Sequence, residues 1–239
     1  MPKIGIITAM HREIAGLVRH WRDGVLEHRG RSLPAFESDR AVLVCSGIGA
    51  LAAGRATEAV ARLGVEVLIS AGYAGALAPG MRAGAPVTPE SVVDAETGAR
   101  FQALFGGGTL VSATRVVRQE EKAALARQYD AQAVDMEAAT VAAIAERHGC
   151  GFLAVKAISD TLQFALPPVE EFIDAEGRMR EGAFAAHVAV RPYLWPNAVR
   201  LWRNHRKASQ TICGVLDAIL QIDDLRSARG RMKTRVKFS

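Results

Sequence analysis

Two stretches, Val134-Asp135-Met136-Glu137-Ala138-Ala139 and Val155-Lys156-Ala157-Ile158-Ser159-Asp160, decide how this chain is read. In each, an apolar run reaches an acid where a strand meets a turn or a helix start. Glu137 and Asp160 stand 23 residues apart, the span of one helix plus one strand, so two carboxylates can converge at one end of a sheet. One acid can bind sugar hydroxyls while the other gives a proton to a leaving group.

Outward from this pair the chain alternates between short apolar runs and helical patterns. Residues 3–8, 33–36, 41–45 and 65–70 read as strands, the last as a buried one because it is nearly all apolar. Gly72-Tyr73-Ala74-Gly75 then breaks that strand. Shorter strands are expected at 85–88, 91–93, 109–113 and 133–136, and a buried strand at 152–158 that stops at Ser159-Asp160. Helical patterns cover 11–20, 50–63, 119–129 and 138–148. Beyond residue 168 the chain is helical, with a break at Arg191-Pro192 and a restart near Pro196. This alternation predicts an α/β fold with a mostly parallel sheet covered on both faces. The chain is expected to be one α/β domain with an extension, or at most two domains: a candidate catalytic domain over residues 1–190 and a basic helical extension over 191–239.

Composition bounds the rest. The 239 residues are 49% apolar but only 6% aromatic, so Ala, Val, Leu and Ile carry the packing. Cys45, Cys150 and Cys213 lack metal-type spacing, and so sparse and odd a count fits reduced thiols in a cytoplasmic protein. No bound metal or cofactor is expected. No run approaches the 18 or so apolar residues that span a bilayer, and the start of the chain lacks a signal-peptide pattern. The net charge of +5 is uneven: residues 191–239 hold eleven Lys/Arg against three Asp/Glu, an excess of +8 that leaves −3 for residues 1–190. Nucleic acid is set aside as a partner because no recognised module accompanies this charge. Trp195, Val199 and Trp202 share a helix face beside Arg200, Arg203 and Lys207. That face reads as a helix packed on the body with a wet edge or, alternatively, as an interfacial membrane helix. Arg229, Arg231, Lys233, Arg235 and Lys237 read as a flexible end.

Each motif has a plain alternative. Gly47-Ile48-Gly49-Ala50-Leu51-Ala52 fits a loose dinucleotide loop, yet no acid ends the following strand to take a ribose, so a tight strand–helix turn, or one whose N–H groups face an anion or sugar, is preferred. Gly72 and Tyr73 belong to a turn or to a backbone cradle for phosphate or sugar. Glu13 alone is an ordinary first-turn acid, Glu137 another, and Asp160 a cap. Their convergence at three strand ends points to a site.

In these residues the chain resembles the purine nucleoside phosphorylase superfamily, and within it the methylthioadenosine/S-adenosylhomocysteine nucleosidase branch. The matching segments run in order: Lys3 through Met10 with Glu13, Ser46-Gly47-Ile48-Gly49, Gly72 through Leu77, Val134 through Ala138, and Ala157 through Asp160. The region from Phe164 onward looks like the hopanoid-associated phosphorylase subgroup. The resemblance implies a three-layer α/β sandwich around a central mixed, mostly parallel sheet, and cleavage of the N-glycosidic bond of a purine (adenine) nucleoside. Glu137 would hold the ribose hydroxyls, with Met136 packed on the sugar. Asp160 would protonate N7, with Ser159 near the base, and Glu13 would activate water. Val116 and Val117 would line the base pocket. It also implies a dimer or larger oligomer. Two departures stand out: Tyr73 replaces a customary serine, and the arginine-bearing Gly-Asp-Pro loop of phosphorylases is missing. Phosphate as co-substrate therefore stays open, as does the 5′ substituent, which could be methylthioadenosine-like or, at a membrane surface, adenosylhopane-like.

A purine anion leaves poorly, so the acid must carry a proton at neutral pH. Asp160 would have to be kept protonated by burial or gain its proton with substrate. On this reading Asp160→Asn folds normally and loses at least about 100-fold in turnover. The alternatives are a non-catalytic nucleoside-binding protein on the same scaffold and, more remotely, a dinucleotide-dependent oxidoreductase.

Overall fold

The computed structural model describes residues 3–164, 166–223 and 225. The basic residues Arg229, Arg231, Lys233, Arg235 and Lys237 lie outside the described residues. In chain order the strands are β1 (Ile4–Thr8), β2 (Arg22–His28), β3 (Arg31–Glu37), β4 (Ala41–Cys45), β5 (Val67–Ala76), β6 (Pro86–Val87), β7 (Ser91–Asp94), β8 (Arg100–Gln102), β9 (Thr109–Ser112), β10 (Ala133–Asp135) and β11 (Gly151–Asp160). The helices are α1 (His11–Ile14), α2 (Ala50–Ala61), α3 (Gln119–Tyr129), α4 (Ala138–Arg147), α5 (Glu181–Ala189) and α6 (Trp195–Leu220).

The strands join in one mixed sheet. Pairings β4–β1–β5–β11 are parallel, as are β10–β9–β7, while β2, β3, β6 and β8 add antiparallel strands and β10 runs antiparallel to β5. Helices α2 and α4 pack together and against β1, β5 and β11, and α6 packs on β5, β11 and α1. Strands covered on both faces need apolar residues on both, which is why β1, β4, β5 and β11 read as continuous apolar runs. Each Ile, Leu or Val so buried contributes about 1.5–3 kcal/mol. Helix α6 buries Leu201, Ala208, Ile212, Leu216 and Ile219, one stripe at helical spacing.

The central strand makes the site possible. One edge of β5 pairs with β11 from Val67 to Gly75. On its other edge β1 pairs as far as Ala71, and β10 takes over at Gly75. Gly72, Tyr73 and Ala74 therefore face a gap between two neighbouring strands, and the site occupies that gap.

Several expectations need correction. The Gly72–Gly75 segment does not break β5, which continues to Ala76, because β11 goes on pairing with it. Likewise β11 does not stop before Ser159 but includes Asp160. The helix expected over 11–20 is a single turn followed by a separate 3-10 turn at Val18–His20. Strands β2 and β8 were not expected. The β2–β3 hairpin turns through Arg29 and Gly30, both at positive φ, the conformation of a type I′ turn, but Arg-Gly is not a usual signature for it.

Candidate active site

Glu13, Glu137 and Asp160 open into one cavity of about 170 Å3. Met136, Ser159, Tyr73, Val116 and Val117 line it too. Gly49 and Gly72 do not line it; each instead stands behind one of the acids.

Glu13 is 2% exposed. Its Oε2 accepts the Thr8 hydroxyl at 2.5 Å and the Ala9 and Met10 N–H groups at 3.1 and 3.0 Å, and its Oε1 accepts the Tyr73 N–H at 3.3 Å. The unpaired edge of β5 thus supplies a donor to this acid. A side chain at Gly72, at φ +148, would be strained, with its Cβ 3.2 Å from Glu13 Oε1. The backbone at Gly72–Tyr73, expected to be a turn or a cradle for phosphate or sugar, gives the Tyr73 N–H to a carboxylate of the protein.

Glu137 accepts the Gly49 N–H at 2.7 Å on Oε1. The turn at Gly47–Gly49 thus gives an N–H to a carboxylate of the protein itself. The Ile48 N–H is likewise taken, by Gly177 O at 2.7 Å. Behind Glu137 lies a buried network. Lys156, 1% exposed, has its Nζ 2.7 Å from Asp135 Oδ2 and 4.0 Å from Glu137 Oε2. Asp135 also accepts the Ser112 hydroxyl at 2.5 Å and the Ala138 N–H at 2.9 Å. Burial pushes the Glu137 carboxyl up to about 7, with Lys156 pulling the other way and Asp135 adding to the rise. For Lys156, burial favours the neutral amine, but Asp135 and Glu137 outweigh it and hold the ammonium above its ordinary value.

Asp160 is 5% exposed. A bulge in the β11–β5 register falls between Ile158 and Asp160. Consecutive strand residues normally point to opposite faces, and a bulge re-aims one of them. Here Ser159 and Asp160 both reach the cavity, and the Ser159 hydroxyl donates to Asp160 Oδ1 at 2.7 Å. Asp160 Oδ2 lies 2.5 Å from Nζ of Lys122, itself 1% exposed, which also donates to Thr161 O at 3.2 Å. Asp160 is therefore buried, and it is one half of an ion pair rather than an isolated acid.

Sequence reasoning missed Lys122, Lys156, Asp135 and His205 as site residues. Lys156 and Asp135 stood inside the quoted motifs, and the rarity of charge in an apolar strand was the available signal. His205, on α6, stacks on Tyr73 with ring centroids 4.5 Å apart, and burial together with Arg12 lowers it to about 3, so it is neutral. The Tyr73 hydroxyl, 2.7 Å from Ser209 Oγ, fixes this stack.

Comparison with known proteins places these residues in context. The family model of the phosphorylase superfamily matches residues 3–107 and 102–191. No curated protein matches the chain. Among solved structures, a 5′-methylthioadenosine/S-adenosylhomocysteine nucleosidase from Neisseria meningitidis in complex with methylthio-immucillin-A shares 19% identity, with 92% of this chain and 99% of that one covered and a TM-score of 0.70. The native futalosine hydrolase of Helicobacter pylori shares 18%, covering 92% and 97%, with a TM-score of 0.68. A methylthioadenosine/S-adenosylhomocysteine nucleosidase from Colwellia psychrerythraea in complex with adenine shares 23%, covering 67% and 83%, with a TM-score of 0.60. At these identities the likeness is one of fold, and it agrees with the three-layer α/β sandwich.

Proposed function

We propose that this chain, which belongs to the phosphorylase superfamily, cleaves the N-glycosidic bond of a purine nucleoside with water as nucleophile. The observation that carries the reading is the meeting of Glu13, Glu137 and Asp160 in one cavity. Glu13 takes a proton from the attacking water as oxygen closes on C1′. Glu137, ionised, holds the ribose hydroxyls and stabilises the positive charge that develops on the sugar. Asp160 protonates N7, so the base departs neutral. Structures of similar fold hold adenine and methylthio-immucillin-A, which supports a 5′-substituted adenosine as substrate. Leu166, Val169, Ile173, Met179 and Leu201 give the cavity an apolar wall suited to an apolar 5′ group.

Water is favoured over phosphate by the electrostatics. Glu13 already occupies the donors at Ala9, Met10 and Tyr73, and its charge would repel an anion. The cations at the cavity are paired: Arg12 with Glu181 at 3.1 Å, Arg115 with Glu121, and Lys122 with Asp160. Base release from methylthioadenosine should proceed equally with and without phosphate. A strict phosphate requirement overturns the choice of water, and tight binding without base release leaves a nucleoside-binding protein. Assembly into a dimer or larger oligomer belongs to the same proposal, and a scattering mass of one 25.6 kDa chain would remove it.

A second reading concerns α6. Tyr193, Trp195, Val199 and Trp202 are about half or more exposed, and Arg200, Arg203, Arg206 and Lys207 flank them. None of the described helices is long and apolar enough to cross a membrane. Aromatic and basic side chains together suit an anionic membrane surface, where α6, which also supplies Leu201 and His205 to the cavity, would meet an adenosylated lipid such as an adenosylhopane. Co-sedimentation with phosphatidylglycerol vesicles should occur at low salt and weaken with added salt; no binding at low salt rejects it.

A further inference from the structure

Helix α3 is polar and surface-lying, and its one buried residue is Lys122. The helix is anchored by Leu125, Ala126 and Tyr129, which pack on Leu77, Val111 and Val134, so the fold does not need an ammonium buried beneath it. Removing a charge from water is costly, and the mutual attraction of a buried pair often only offsets that cost. The other charged side chains on the cavity, Arg12, Glu13, Arg115, Asp135 and Glu137, find partners away from the leaving base: Glu181, the Thr8 hydroxyl with backbone N–H groups, Glu121, Ser112 with Lys156, and the Gly49 N–H respectively. Lys122 alone among the described lining cations pairs with the acid assigned to the base.

We propose that Lys122 is the source of the proton that Asp160 passes to the leaving base, so that the pair, rather than Asp160 alone, is the acid. This rests on the N-glycosidic cleavage proposed above. In the ion pair the proton is on Lys122 Nζ, 2.5 Å from Asp160 Oδ2. As the C1′–N9 bond breaks, its electrons go to the purine. Asp160 receives the proton from Nζ and delivers one to N7. The site is left with a neutral amine, a carboxylate and a neutral base, and Lys122 regains a proton from solvent after the base departs. The proton of the attacking water goes to Glu13 and from there to solvent, so the net change is nucleoside plus water to ribose and free base. Lys122 touches Asp160 and not the reacting atoms, so it is a positioning and proton-supplying residue.

The test compares two substrates. A purine nucleoside needs the proton, whereas 4-nitrophenyl riboside releases a stable phenolate and does not. Lys122→Met should lower cleavage of methylthioadenosine by about 100-fold or more, the low end of general-acid effects, and change cleavage of the nitrophenyl riboside by less than about threefold. Lys122→Arg keeps the charge but holds its proton far more tightly, so it should show the same selective loss while its melting curve stays near that of the native protein. If Lys122→Met fails to fold, Lys122→Arg decides. Equal losses on both substrates, or full nucleoside cleavage by Lys122→Arg, would overturn the inference while leaving the cleavage itself intact. A native protein that cleaves neither substrate would instead sink the proposed function.

Discussion

The cavity has two ends, and each is built around a lysine that is 1% exposed. At the base end Lys122 is paired directly with Asp160, at 2.5 Å. At the ribose end Lys156 is paired with Asp135, at 2.7 Å, and Glu137 stands 4.0 Å away. The difference is one intervening carboxylate. Burial pushes the Glu137 carboxyl up to about 7, against the pull of Lys156 and with Asp135 adding to the rise. Asp160 meets its lysine directly, with no second carboxylate between them. One end is arranged to hold charge beside a developing cation, and the other to move a proton.

The largest expected effect breaks the base end. Asp160→Asn should lower base release by at least about 100-fold. Folding should also suffer, contrary to the expectation from sequence, because the substitution strands the Lys122 ammonium in a buried site. Loss of one partner of a buried pair costs about 3–5 kcal/mol. Denaturant melts should show this loss, and Asp160→Asn combined with Lys122→Met should recover much of the stability with none of the activity. Unchanged stability in the single variant would mean that the pair is hydrated and the contrast between the two ends is false.

At the ribose end Lys156→Met should cost a similar amount, about 3–5 kcal/mol, by leaving Asp135 buried without its cation. Its kinetic signature should differ. Lys156 holds the Glu137 carboxyl down, so without it the acid limb of kcat/KM should move to higher pH, and nitrophenyl riboside cleavage should shift in step with nucleoside cleavage because both need the ribose held. A limb that stays in place would show that Lys156 is not felt at Glu137.

How much of this was legible depends on the residue. The strand–acid junctions at Glu137 and Asp160 were visible because apolar runs ending in carboxylates are unusual, and the family resemblance ordered them along the chain. The strand limits at Gly72 and Ser159 were misjudged for one reason: glycine and serine-aspartate read locally as breakers, while β5 and β11 hold each other through Gly75 and Asp160 by long-range pairing. Strand β2 is almost wholly exposed and carries no alternating apolar signal. Lys122 lies in Gln-Glu-Glu-Lys, a run that reads as a solvated helix face, and only the packing of α3 over the cavity buries it.

A smaller effect tests the backbone between the two ends. Gly72→Ala would place a methyl 3.2 Å from Glu13 Oε1 at φ +148. Backbone strain of this kind costs about 1–3 kcal/mol, and the carboxylate that positions water must shift. Turnover should fall for both substrates equally, because Glu13 serves the nucleophile and not the leaving group. A loss confined to the nucleoside would mean that Glu13 belongs to the base end instead.

The gentlest test needs no substitution and asks whether Glu137 titrates where its surroundings place it. The ordinary carboxyl value is 4.5, and in the folded protein burial raises it to about 7. Between those values the native state keeps a proton that the unfolded chain has lost, so this group's contribution to stability declines as pH rises from about 4.5 to 7. Activity should run the other way, because only ionised Glu137 can stabilise the sugar cation. Below about 7, kcat/KM should fall about tenfold for each pH unit, as a single ionisation requires. Stability and activity that rise together across this window would place the titrating group elsewhere and erase the contrast with Asp160. Opposite slopes would place the titrating carboxyl at the ribose end, where burial raises Glu137, apart from the directly paired Lys122 and Asp160 at the base end.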